Sequence, residues 1–367
     1  MVLDMESTST VASIMERAGI QEYLRVLLTV LNFLTFLVAV IGNSLVLLGT
    51  IRHDLIKMDR PSLLFLQSIA VSDIVIAFSS YLIKGITLAF DRWVLGDFLC
   101  RISKIIFTTA LFNEAGVIAM LSVYRVWMLK RTPARRNLIN VTIIKIVLTC
   151  FFFVGAVYLT ILMVSLDAKM FVNPHEHTCS SKIFSDSEYK VYAISTVIVF
   201  VFVPMFVIIV SNIVTIAVFL KHDKKANPRT NPRNKSRLNN RKSTVYLSTE
   251  AQPAADTTET TTTTTTTTSS NNSSMESHSE YARIIITLTA ISTMFVISYI
   301  LILVKNTMGL LGYDIPDWIV VAWPYLLSIN VMMNPVIYAL MNKKFKAFLR
   351  DVFLGRYYGN SVNAGFT

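Results

Sequence analysis

Two acids stand where acids are expensive. Asp73 and Glu114 each interrupt a stretch that is otherwise free of charge, Ser62–Ile83 and Ile105–Tyr124 respectively. An ionisable group inside an apolar helix is a functional candidate by default, paired with another group or facing a polar cavity. Two carboxyls that meet in such a setting either hold a cation or share a proton. Amides suit both uses. Asn43, Asn330 and Asn334 also lie in apolar stretches, and Asn330, Asn334 and Tyr338 recur at helical spacing on one face. A plainer reading, hydrogen bonds that clamp helices together, fits the same residues. Two lysines point to a second chemistry. Lys84 follows Asp73 by about three helical turns, and Lys104 shares a stripe with Phe107, Glu114 and Arg125. Cations in an apolar setting predict a pocket for an acidic ligand group, to which Tyr299 and Asn306 are also assigned. Snorkelling of both lysines to headgroups is the competing reading.

The elements that must carry these residues are membrane spans. A bilayer core of about 30 Å needs roughly 20 apolar residues in a helix. Runs without Asp, Glu, Lys or Arg are Val26–Ile51, Ile146–Leu166, Val191–Leu220, Ile284–Val304 and Trp318–Asn342, and the two acid-bearing stretches bring the count to seven. Backbone groups cannot stay unpaired in lipid and the runs are too long for barrel strands, so each is a helix. The expected fold is therefore an all-α integral membrane bundle of seven helices. Lys343–Phe353 adds a short amphipathic helix, with Phe345, Phe348 and Phe353 against Lys343, Lys346 and Arg350.

Charge sets the orientation. The chain has 367 residues, 16% of them charged and 53% hydrophobic, with a formal net charge of +11. Soluble domains carry about 25% charged residues, so a soluble protein is disfavoured. The excess sits in alternate loops, at Arg52 and Lys57, at Arg131, Arg135 and Arg136, at Lys224, Lys225, Arg229 and Arg233, and at Lys343, Lys344 and Lys346. The positive-inside rule then places the N-terminus outside, and it explains the charge without nucleic acid. The predicted organisation is an extracellular segment 1–22 without a cleaved signal, spans one to five in 23–220, a disordered cytoplasmic loop 221–280, spans six and seven in 281–342, and the amphipathic helix with its tail in 343–367. The loop holds a threonine run, Thr260–Thr268, read as a spacer that is open to phosphorylation and arrestin-type binding. Cys100, Cys150 and Cys179 fit no zinc spacing and leave room for one extracellular bridge.

The motifs carry a resemblance. Gly42-Asn43-Ser44-Leu45-Val46 in span one, Ile69-Ala70-Val71-Ser72-Asp73 in span two, Trp93-Val94-Leu95-Gly96 ahead of Cys100, Arg125 in span three, Pro204 in span five and Asn334-Pro335-Val336-Ile337-Tyr338 in span seven occur in order and at spacing. The chain resembles the rhodopsin-like family of G-protein-coupled receptors over almost its whole length. The resemblance implies a Cys100–Cys179 disulfide. It implies a sodium site near Asp73, with Asn330 and Asn334 helping, and Glu114, where most members place a small polar residue, would strengthen that site or share a proton with Asp73. It implies an extracellular ligand, a heterotrimeric G protein as partner, the plasma membrane as location, and no catalysis. Tyr124, Arg125, Glu280 and Tyr338 would form the G-protein switch.

The departures have consequences. Tyr124, a neutral phenol at pH 7, stands where the family keeps an acid before its arginine. Asn212 replaces the helix-five tyrosine, and Phe295–Leu301 lacks the helix-six tryptophan and proline. Helix four lacks its tryptophan and proline. Phe107 occupies the amine-binding aspartate position, which disfavours a biogenic amine, and Trp318–Asn342 has no lysine for retinal. A peptide or an acidic small molecule or lipid is favoured. The alternatives are a transporter or ion-conducting protein that uses Asp73 and Glu114, and a receptor-like protein that couples weakly.

Overall fold

The computed structural model describes residues 3–51, 59–130, 141–165, 170–173, 178–181, 190–226 and 266–354. Within these, α1 spans Leu3–Ile51. Helix α2 runs Arg60–Ile76, passes through a π-helical stretch Ala77–Leu82 and continues as Ile83–Phe90. Helix α3 is Gly96–Lys130 and α4 is Val141–Ser165. A hairpin of β1 (Met170–Asn173) and β2 (Thr178–Ser181) follows, with Val172 opposite Cys179. Helix α5 runs Lys190–Ala226 with a π-helical stretch Ile198–Phe202, α6 is Thr266–Leu311, α7 is Asp317–Met341 and α8 is Lys343–Phe353.

Seven of these helices are long and apolar enough to cross a membrane. All seven predicted spans are present, and the helices overrun them: α1 enters the segment read as an extracellular N-terminus, and α6 begins inside the segment read as a loop. Most of the loop cations behind the predicted orientation, Arg52, Lys57, Arg131, Arg135, Arg136, Arg229 and Arg233 among them, lie outside the described residues. So do most of the threonine run and the tail beyond residue 354.

Local chemistry sets the helix ends. Asp59 caps α2, its carboxylate accepting from the Ser62 amide at 3.0 Å, with Pro61 in the first turn where no amide is needed. Asp91 closes α2 in the left-handed conformation, φ 53°. Asn342 caps α8 by accepting from the amides of Lys344 and Phe345. This turns α8 so that Phe345 and Phe348 are buried.

Helix α3 is the axis. Most of its apolar span is buried, whereas α4 buries almost none of its own and α1 little. Exposed Leu27, Val30, Phe153, Val154, Phe206 and Ile213 form the outer apolar surface that a bilayer covers. Polar residues tie the bundle inside. Asn43 donates to the Val331 carbonyl at 3.0 Å, joining α1 to α7. Gly42 beside it is needed for that approach, because a Cβ there would come within 2.6 Å of the Pro335 ring. Tyr81 donates to the Pro324 carbonyl at 3.1 Å, and Asn113 to Ser72 at 2.8 Å.

Candidate functional site

Polar residues stack along α3 in three tiers. The outer tier begins where Cys100, in the first turns of α3, is bonded to Cys179 of β2, with Cα atoms 5.4 Å apart. The bridge pins the hairpin over the end of the bundle. Beneath it lies a narrow cleft of about 480 Å³, counted to its open mouth and in large part too thin to admit water. Ser79 and Ser80 from the π-helical stretch of α2, Lys84, Ser103, Lys104 and Phe107 line it, with Trp323 and Pro324 of α7 opposite. Lys84 is buried, its ammonium 5.0 Å from the Tyr325 ring centre. The Lys104 ammonium is 5.9 Å from the Phe107 ring, and Lys305 on α6 is 4.8 Å from Trp323. Each cation thus lies over an aromatic face, an arrangement that holds charge in an apolar setting. Tyr299 and Asn306, assigned by sequence to this pocket, do not line it.

The middle tier holds the acids. Asp73 and Glu114 are fully buried, and their carboxyls lie near enough to act on each other's charge. Asn334 of α7 donates to Asp73 at 2.7 Å, and Asn330, one turn earlier, donates to Glu114. Tyr299 of α6 belongs here, donating to Glu114 at 3.3 Å. It stands where the family keeps its helix-six tryptophan, and its hydroxyl is the donor that reaches the second acid. Three oxygens of the tier, Asp73 Oδ1, Asn330 Oδ1 and Asn334 Oδ1, have no donor. A tier rich in acceptors and short of donors suits a small cation or an extra proton. Among the described residues no group of three or more His, Cys, Asp or Glu could hold a metal ion.

The inner tier surrounds Arg125, which is 2% exposed. Its guanidinium donates to Ser122 at 2.8 Å, to Asn212 of α5 at 2.9 Å, and to Thr289 and Ser292 of α6 at 2.9 and 2.8 Å. These partners are all neutral. Ser292 also donates to Asn212 at 2.9 Å, closing a loop of hydrogen bonds across three helices. Tyr124 turns the other way and donates to Asp59 Oδ2 at 2.8 Å. The acid that caps α2 thus meets the phenol before Arg125 and not the guanidinium. Tyr338 is buried against Phe345 of α8. The side chain of Glu280 lies outside the described residues.

A family profile for seven-transmembrane receptors of the rhodopsin family matches residues 42–338. The chain belongs to that family. This rhodopsin-family receptor is a multi-pass membrane protein, and the family consists of receptors rather than enzymes. It is 32% identical to the human chemokine XC receptor 1 over 97 residues, covering 26% of this chain and 28% of that one. It is 28% identical to the Xenopus laevis type-1 angiotensin II receptor B over 218 residues, 57% of this chain and 58% of that one. Identity to the Phodopus sungorus melatonin receptor type 1A is 22% over 322 residues, 85% and 76% of the two chains. The matches to the first two thus span less than two thirds of those relatives. Squid rhodopsin superposes with a TM-score of 0.68 at 14% identity, covering 90% of this chain and 86% of that one, which shows the fold alone.

Several members of the receptor's three tiers were not legible in the sequence. Trp323 lines the outer cleft with Lys305 over its ring, Ser122, Thr289 and Ser292 hold Arg125, and Asp59 meets Tyr124. Thr289 and Ser292 share a face of α6, a signal that was present. Asp59 ahead of Pro61 reads as a helix cap, but its reach to α3 depends on how α2 and α3 cross.

Proposed function

We propose that the chain is a receptor for an extracellular anionic ligand that activates a heterotrimeric G protein at its Arg125 end. One observation carries the ligand class: lysines from two helices, Lys84 and Lys104, line the cleft beneath the Cys179 hairpin, and Lys305 of a third lies over the ring of Trp323 in its opposite wall. The relatives are named for three different ligands, so the pocket chemistry leads. An acidic group entering the cleft would draw the ammoniums off their aromatic rings, in surroundings where such an attraction exceeds its value in water. Arg125, joined to α5 and α6, supports coupling, since a ligand that favours a displaced α6 must break those bonds. The proposed orientation puts the N-terminus and hairpin outside the plasma membrane.

The test is a panel of acidic peptides, anionic lipids and nucleotides, applied to cells that express the full chain, with nucleotide exchange read on a panel of G proteins. We expect the agonist to be anionic. Lys104→Gln should weaken its potency about tenfold, equivalent to about 1.4 kcal/mol, and Lys104→Arg should retain most of it. A neutral or cationic agonist, or equal potency in Lys104→Gln, overturns the ligand class.

The middle tier is proposed as a sodium site, with Asp73 and Glu114 as the charged ligands and the Asn330 and Asn334 carbonyl oxygens as neutral ones. A bound ion stabilises the state that binds it, by about 1.4 kcal/mol for each tenfold excess over its dissociation constant. Melting of the purified receptor should therefore be higher in sodium than in potassium at constant ionic strength, and Glu114→Gln should remove the difference. Equal melting of the wild type in both salts leaves a shared proton as the account of the pair.

A further inference from the structure

A second cavity opens on the lipid side of α2, α3 and α4, away from the three tiers. It holds about 1540 Å³ counted to its open face. Its walls are apolar, formed by side chains such as Val71 of α2, Ile106 of α3, and Leu148 and Phe152 of α4. The small side chain of Thr149, exposed on α4, faces the same space. This opening has a cause in the sequence. Helix α4 has no tryptophan, and it approaches α3 closely at Gly116, where an added Cβ would meet the Phe151 ring at 2.2 Å. Beside that contact the helices part. Two buried oxygens of the α3 wall, Thr109 Oγ1 and Asn113 Oδ1, have no hydrogen-bond partner, so the bundle does not seal this face itself.

Charge and length define an occupant. Lys145 lines the cavity near the start of α4, at the Arg125 end of the bundle, and is exposed. From Lys145 the cavity follows α4 to Ala156, about 16 Å at the helical rise of 1.5 Å per residue. Along α4 that is about half of a 30 Å hydrocarbon core, the depth of one leaflet, and on α3 the lining continues up to Ile105, beside Lys104 of the outer tier. We propose that the cavity binds an anionic phospholipid, with its phosphate on Lys145 and one acyl chain along the groove beside Thr149. A cation at the headgroup level attracts an anionic head, and the lining of the cavity holds no charged side chain besides Lys145. The leaflet is the cytoplasmic one in the orientation proposed above.

The experiment is native mass spectrometry of the full chain, purified in detergent and titrated with phosphatidylserine, phosphatidylcholine, cholesterol or oleate, together with melting curves. Adduct formation in detergent is independent of orientation, so failure of the orientation and failure of the site are separable. We expect phosphatidylserine to form several-fold more adducts than phosphatidylcholine and to raise the melting temperature. Lys145→Gln should bring the two lipids to parity, and Thr149→Trp, which fills the groove from an exposed position, should lower both. Should Thr149→Trp not accumulate, the Lys145→Gln comparison stands alone. The proposal is overturned by equal binding of the two phospholipids to the wild type, by stronger binding of cholesterol or oleate, or by a phosphatidylserine preference that survives Lys145→Gln.

Discussion

A Tyr124→Asp variant should melt several degrees below the wild type and should not signal less. From sequence alone the opposite follows, because restoring the family's acid ahead of Arg125 would give the arginine an ionic partner. The structure has an acid there already. Tyr124 donates to Asp59 Oδ2 at 2.8 Å, so a carboxylate at position 124 would face a carboxylate. Aspartate is the shorter side chain, and two like charges about 6 Å apart near a protein surface repel by about 3 kcal/mol before relaxation, of which Asp59, being half-buried, keeps part. Tyr124→Phe is the milder change, removing a hydrogen bond to a charged group worth about 1.5–3 kcal/mol. Asp59→Asn in the Tyr124→Asp background should restore most of the melting temperature, since asparagine still caps α2 and no longer repels. The measurement is a double-mutant cycle on melting temperature, with basal nucleotide exchange in parallel. Wild-type melting together with lower basal exchange in Tyr124→Asp would show that position 124 faces Arg125 instead.

Removal of the Asn212 side-chain acceptor should raise signalling without ligand. Asn212 Oδ1 accepts from both Arg125 and Ser292, at 2.9 Å each, and so links α3, α5 and α6 at one atom. Asn212→Leu leaves a buried guanidinium short of a partner, while Ser292 keeps the Leu288 carbonyl. An arrangement that moves α6 outward and lets water reach Arg125 becomes relatively more favourable. A shift of about 1.4 kcal/mol changes the ratio of the two arrangements tenfold, so we expect basal exchange to rise by about that factor at matched surface expression. Asn212→Asp keeps the acceptor and adds a charge for Arg125, and should lower basal exchange. Arg125→Ala should be silent in every background. Unchanged basal exchange in both Asn212 variants would show that this network does not hold the resting state.

The two predictions differ in how much of them the sequence contained. Arg125 was marked by its place after Cys100, and Asn212 by its place after Pro204. The bond between them was not marked, because it depends on how α3 and α5 approach. Tyr299 shows the same limit. Its position on α6 was legible, but not the side it serves. The rotation of α6 places it with Glu114 rather than in the outer cleft. Lys305 follows directly on the apolar run Ile284–Val304, and no spacing ties it to the cleft. Its place over Trp323, which lines the cleft, depends on how α6 and α7 pack.

What the sequence determines by itself is the set of elements and the polar residues inside them. A bilayer forces every backbone bond to be made within its own segment, so runs of apolar residues become helices whatever their neighbours do. The same scarcity of water makes each buried Asp, Glu or Asn conspicuous. The α8 helix was legible for a related reason, since Phe345 and Phe348 recur at one helical spacing and Asn342 supplies the cap. The tertiary structure decided the partnerships. Asp73 with Glu114, Asp59 with Tyr124, and Arg125 with Ser292 join residues far apart in the chain. Such pairs depend on the rotation and crossing of packed helices, which the bulk of side chains such as Phe151 against Gly116 sets, and no spacing within a single helix encodes it.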